Sequence, residues 1–174
     1  MVIREANSCE IDELVEFYDR MCKVLANSPF LPNGNKGGYP SREMIEGAVK
    51  NKEQYVGVVD GKIVAAYILN HDCDPAYDKA NWQISAARSE VMVLHALRVM
   101  PEYGGRGYAK RLMEHALSVA KSKNQKAIRL DCVDGNTAAQ KLYLSFGFKN
   151  IGSVPIFYED IGTEVDCLLF ELSL

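Results

Sequence analysis

Gly104-Gly105-Arg106-Gly107 lies between an apolar, branched stretch, Val91–Val99, and a helical repeat that begins at Ala109. Glycine tolerates positive φ, and the first N–H groups of a helix have no partner within it. Such a turn therefore aims several backbone donors, together with the positive end of a helix dipole, at one point. The ligand that suits that point is an anion, most naturally a phosphate. Turns of this composition also serve dinucleotides and P-loop nucleotides. The P-loop reading fails because no Lys-Ser or Lys-Thr follows the last glycine. The dinucleotide reading is poor because the turn does not follow the chain's first strand. A plain tight turn is the bland alternative.

The elements around the turn can be read from periodicity. Val91–Val99 has the branched, uncharged composition of a buried strand, and Pro101 stops it. Ala109, Leu112, Met113, Ala116, Leu117 and Ala120 form one face of an amphipathic helix. Upstream, Val2–Glu5 reads as a first strand. Asn7 or Ser8 caps a helix facing inward with Ile11, Leu14, Val15, Tyr18, Met21, Cys22 and Leu25. Residues 28–39 form a glycine- and proline-rich loop long enough to be functional. Ser41 caps a short helix, and Asp60-Gly61 joins the strands Gln54–Val59 and Lys62–Leu69 as a hairpin. Asn70–Glu90 reads as an inserted loop. Trp82 within it either lines a pocket or pins the insertion to the core. Downstream come a strand at Ala127–Cys132 and a helix that Asn136 caps and Gly147 ends. That helix is expected to bury Ala138, Ala139, Leu142, Tyr143 and Phe146. Strands Lys149–Val154 and Val165–Leu172, joined by PIFYEDIGTE, complete the chain.

Composition narrows the classes. The chain has 174 residues, 48% hydrophobic and 25% charged, with net charge −3, which fits one globular domain over residues 1–174 with a real core. The basic residues are dispersed, with no aromatic-interleaved patch, so a nucleic-acid partner is not expected. No apolar run is long enough to span a bilayer, and no signal peptide is read. Five cysteines, widely spaced and without a C-x-x-C pair, argue against a zinc site or disulfide frame. They suit a reducing, cytoplasmic setting.

PEYGGRGYAKRL, then RLDC, then N-x-x-A-x-x-L-Y-x-x-x-G-F over Asn136–Phe148 resembles the GNAT acetyltransferase superfamily. The matching segments span Val91–Phe148, about a third of the chain. The resemblance implies an α/β fold: a mixed, mostly antiparallel sheet of about seven strands, flanked by about four helices, with a V-shaped opening between strands 4 and 5. It implies acetyl-CoA as cosubstrate without a metal, and direct transfer in a ternary complex to a primary amine of a small molecule or peptide. An acyl-CoA-binding module without turnover, and transfer of another acyl chain or to oxygen, are the rival readings. The backbone of Gly104, Gly105, Arg106, Gly107, Tyr108 and Ala109 corresponds to the family's pyrophosphate cradle. The family's usual Gln or Arg at the first of these positions is Gly104 here. Leu97, Arg98 and Val99 correspond to the edge that meets the pantetheine arm, which Asn136 and Ala139 meet from the other side. Lys141 faces either the 3′-phosphate or solvent.

Tyr143 corresponds to the family's tyrosine near the thioester sulfur, and is otherwise a core tyrosine. A free phenol has pKa about 10 and a thiol about 8.5, so full proton transfer to the thiolate would be uphill by roughly 2 kcal/mol. A hydrogen bond that strengthens in the transition state is the safer role. Two residues are candidate bases. His95 takes the place of a strand glutamate common in the family, and Glu90 lies just before the strand; a satisfied core histidine and a solvated carboxylate are the plain alternatives. The acceptor pocket is expected from residues 28–40, 71–90 and 155–164. Acidic residues there, among them Glu159, Asp160 and Glu164, would attract a cation. Cys132 ends a strand that points into the cleft, but no acyl-cysteine role is expected. The homodimer common in the family is left open by the sequence.

Overall fold

The computed structural model describes residues 1–31 and 33–174, so Pro32 of the expected 28–39 loop lies outside the described residues. Seven strands form one sheet: β1 (Val2–Glu5), β2 (Gln54–Val59), β3 (Lys62–Asn70), β4 (Val91–Val99), β5 (Ala127–Val133), β6 (Lys149–Tyr158) and β7 (Thr163–Ser173). Their order is β1-β2-β3-β4-β5-β7-β6. The one parallel pair in that order is β4 with β5; the others are antiparallel. The helices are α1 (Ile11–Leu25), α2 (Arg42–Lys50), α3 (Tyr108–Ser122) and α4 (Thr137–Ser145).

Both faces of the sheet are covered. Leu14, Phe17, Tyr18 and Met21 of α1 and Ile45 and Val49 of α2 pack on one face against Val56, Ile63 and Ala66. Leu112, Met113, Ala116 and Ala120 of α3 pack on the other against Tyr67, Leu69, Met92, Leu94 and Ile128. A central strand covered on both sides must be apolar throughout, which is why β4 opens with four buried residues, Val91 to Leu94. Each such side chain contributes roughly 1.5–3 kcal/mol by leaving water. The hairpin at Asp60-Gly61 has φ 49° and 75°, both positive as a type I′ turn requires.

The register of β4 makes the site. On the β5 side β4 pairs only through Val91–Val93 with Ala127–Arg129. From Leu94 onward the strands diverge, and Leu94–Val99 has no partner on that edge. On the β3 side, His95 faces Ile68 and Arg98 faces Ala66. Two residues, Ala96 and Leu97, therefore oppose Tyr67, which is a β-bulge, and Ala96 sits at φ 49°. Bulges bend a strand and increase its twist, and this one lies where β4 leaves β5.

The last hairpin differs from the sequence expectation. β6 and β7 run to Tyr158 and from Thr163, so most of PIFYEDIGTE is strand rather than loop. Pro155 does not stop β6, because β6 is the sheet's edge and an edge strand tolerates a residue without N–H. The 71–90 insertion contains two short 3₁₀ turns, Pro75–Lys79 and Arg88–Glu90. Trp82 pins it: its Nε1 donates to the Tyr77 carbonyl at 2.8 Å. The Arg129 guanidinium lies 4.3 Å from its ring centre. Glu171, buried beneath, bonds Arg129 Nε at 3.0 Å and accepts from the N–H groups of Gln83 and Ile84. Among the described residues no helix is long and apolar enough to cross a membrane.

Candidate active site

A cavity of about 630 Å³ fills the opening between β4 and β5. Leu97, Arg98 and Val99 line it from β4, Ala109 from α3, and Asn136, Ala138, Ala139, Lys141, Leu142 and Tyr143 from α4. The α4 face expected to be core is thus partly cavity wall, and Ala138 is exposed. Asn136 caps α4, its side-chain oxygen accepting from Ala139 N–H at 3.3 Å.

At the start of α3, Gly105 and Gly107 have φ 71° and 73°, values that a Cβ would penalise. The first N–H of this helix to reach a carbonyl is that of Arg111, bonded to Gly107 O at 3.0 Å. The N–H of Gly104 is already bonded to Pro101 O at 2.9 Å. Of the N–H groups expected as donors, Gly104–Ala109, that of Gly104 is thus taken, while those from Gly105 to Lys110 have no carbonyl partner among the described residues. A Cβ at Gly104 would stand 3.0 Å from that same carbonyl, so the tight turn has little room for the side chain the family usually carries. The Arg106 guanidinium rests over the Tyr103 ring at 5.1 Å. This helix start and the unpaired edge of β4 border one cavity, and together they fit a phosphate-bearing donor with an extended, amide-containing arm.

Tyr143 is 8% exposed and packs against Phe148 and Phe170. Burial raises its phenol well above the ordinary value, so giving up the proton outright is harder still. Cys132 lines the cavity beside it, and burial pushes its thiol up to about 12, which keeps it protonated and a poor nucleophile.

His95 also lines the cavity. Its Nε2 lies 3.0 Å from both Asn70 Oδ1 and the Asp72 carbonyl. Both partners accept, so Nε2 carries the proton and Nδ1 holds the lone pair. Burial lowers its pKa, with the Asp131 carboxylate opposing. The ring is therefore neutral at pH 7, with one nitrogen able to accept a proton. Glu90, the other candidate base, lies elsewhere. It sits at the closed end of the V, where its carboxylate pairs with Lys126 Nζ at 2.7 Å and accepts from Ala87 N–H. It does not line the cavity.

The sequence reading missed Asp131. Its Oδ1 accepts from Tyr77 OH at 2.8 Å and its Oδ2 from Tyr158 OH. The signal was present: β5 alternates buried Ile128, Leu130 and Cys132 with Arg129 and Asp131 on the other face. Of the three segments expected at the acceptor pocket, two line this cavity. Phe30, Leu31, Asn35 and Tyr39 come from the first, and Tyr158, Asp160 and Ile161 from the last. The 71–90 insertion reaches the site from behind, through the Tyr77 hydroxyl on Asp131 and the Asp72 carbonyl on His95 Nε2.

Comparison with known proteins agrees with this geometry. Residues 19–148 match the family model described as "Acetyltransferase (GNAT) family". An uncharacterized N-acetyltransferase of Archaeoglobus fulgidus is 28% identical over 149 residues, covering 83% of this chain and 90% of that protein. Among solved structures, an N-acetyltransferase from Staphylococcus aureus Mu50 superposes with a TM-score of 0.73 at 19% identity, over 99% of this chain and 97% of that one. The protein yncA of Salmonella typhimurium, solved with its cofactor acetyl-CoA, gives 0.71 at 16% identity, over 100% and 94%.

Proposed function

Because this chain belongs to the GNAT acetyltransferase family, an acetyl-CoA-dependent acyltransferase group, we propose that it acetylates a primary amine of a small molecule or peptide by direct transfer. Acetyl-CoA supplies the acetyl thioester: the C–S bond breaks, a C–N bond forms, and the thiol leaves with a proton. The N–H groups of Gly105–Lys110 bind the phosphates. The free edge of β4 at Leu97–Val99 and the side of α4 at Asn136 and Ala139 hold the arm. Arg98, which donates to the Leu97 carbonyl at 3.0 Å, and Lys141 add positive charge along that path.

His95 Nδ1 takes the proton from the attacking nitrogen. An alkylammonium has pKa near 10.4, so the free amine at pH 7 costs about 4–5 kcal/mol; a neutral imidazole in the cavity lowers that cost as the bond forms. Asp131, held by two tyrosine hydroxyls, fixes a negative charge beside it and stabilises the imidazolium that results. Tyr143 donates a hydrogen bond to the departing sulfur. The observation that carries this reading is the convergence of His95, Tyr143 and the α3 start on one cavity. The test is thiol release from acetyl-CoA across polyamines, amino acids, aminoglycosides and short peptides. Release with one class supports it; none with any, from protein that binds acetyl-CoA, overturns it.

A further inference from the structure

The cavity wall holds a second carboxylate, which the mechanism leaves unused. Asp160, in the turn between β6 and β7, is 7% exposed and lines the cavity. Its Oδ2 accepts from Asn35 Nδ2 at 2.7 Å, and its Oδ1 has no hydrogen-bond partner among the described residues. Nor does a cation answer it. Among the described residues neither Arg98 nor Lys141 forms an ion pair with it. Lys36 gives its backbone N–H to the Asp160 carbonyl at 2.6 Å but lays its ammonium over Gly162. A buried carboxylate with an unmet oxygen is unfavourable unless a partner arrives.

Two tyrosines line the same cavity. The Tyr39 ring meets the Tyr158 ring edge-on, with centres 5.8 Å apart, and the Tyr158 hydroxyl is committed to Asp131. Aromatic faces favour alkyl chains and cations alike. His95, Asp131 and Asp160 all line this one cavity, so a single ligand with two basic groups can meet them together.

We propose that the acceptor carries a second cationic group, an ammonium or guanidinium, which pairs with Asp160 while its reacting amine lies beside His95 and Asp131. Diamines and guanidino-alkylamines are the substrate class. This rests on the amine-acetylation reading above. A monoamine of equal length leaves Asp160 unanswered and forfeits a charge-assisted hydrogen bond.

Calorimetric titration of the CoA-bound protein with 1,5-diaminopentane and with n-pentylamine tests it without turnover. The diamine should bind about tenfold tighter or more. Asp160→Asn, which keeps an oxygen for Asn35, should erase the preference, bringing the ratio of the two affinities to about one. Equal binding of the two amines by the unaltered protein, binding of neither, or a preference that survives Asp160→Asn overturns the proposal. The first comparison needs no variant, so it stands even where Asp160→Asn does not fold. Tight diamine binding without thiol release would sink acetyl transfer but leave the second-cation site standing.

Discussion

Replacing His95 by Gln separates the base from the fold around it. A glutamine amide can still donate to Asn70 Oδ1 and the Asp72 carbonyl, the two partners that Nε2 serves at 3.0 Å, but it has no basic nitrogen. General-base assistance is worth about 10²–10⁴-fold. Asp131 remains in the variant, and water can relay the proton, so we expect the lower end: kcat falls about 100-fold, or about 2.7 kcal/mol. The KM for acetyl-CoA should change little, since the cradle at Gly105–Lys110 is untouched. The pH profile gives a second readout. Burial holds the His95 pKa below its ordinary value of 6.5, so the base form is present at pH 7 and is lost only on acidification. Activity of the unaltered enzyme should fall on an acid limb below 6.5 that is absent from His95→Gln. Steady-state kinetics from pH 5 to 9 decide it. A variant that keeps both the rate and the limb removes His95 as the base.

Other substitutions probe the remaining parts. Tyr143→Phe keeps the packing against Phe148 and Phe170 and should melt within a few degrees of the unaltered protein while kcat drops about 10- to 100-fold; unchanged turnover would leave Tyr143 a core residue. Gly107→Ala puts a methyl at φ 73° where no atom lies within 4 Å, so its cost is backbone strain alone, about 1–2 kcal/mol. The KM for acetyl-CoA should rise about tenfold, read by initial rates, and an unaltered KM would detach the turn from cofactor binding. Ala96→Val should lower stability by about 2 kcal/mol or more, because a branched side chain is excluded at positive φ, whereas Ala96→Gly should not. Equal melting temperatures for the two would refute strain at the bulge.

What the sequence disclosed was local. The strand, glycine turn and α3 lie within about thirty consecutive residues, and the Asn136 cap bonds a residue three positions away. Short-range spacing suffices for such features. Asp131 was not legible because its meaning comes from Tyr77, 54 residues before it, and Tyr158, 27 residues after it. Glu90 misled for a related reason. It adjoins β4 in sequence, but β4 meets β5 at Val91–Val93, so this end of the strand is the closed one. Which end opens depends on pairing with a strand 36 residues on, the separation of Val91 from Ala127. The extension of β6 through Pro155 to Tyr158 was not legible either, because a proline is tolerated only where the strand is at the edge, a property of the whole sheet.

The bulge at Ala96 connects these observations. A regular β4 would keep its alternation through Val99. Setting Ala96 and Leu97 against Tyr67 costs strain at one residue and turns the rest of the strand. The edge facing β5 is already free from Leu94, and beyond the bulge it stays free for a ligand's amides instead of a strand's. His95, the last residue before the bulge, is held from the β3 side by Asn70 and from the following loop by Asp72. Its proton is therefore fixed on the nitrogen bound to Asn70 and Asp72, and its lone pair on the other. The irregular residue thus sits on the strand whose free edge lines the cleft, next to the imidazole we propose as the base.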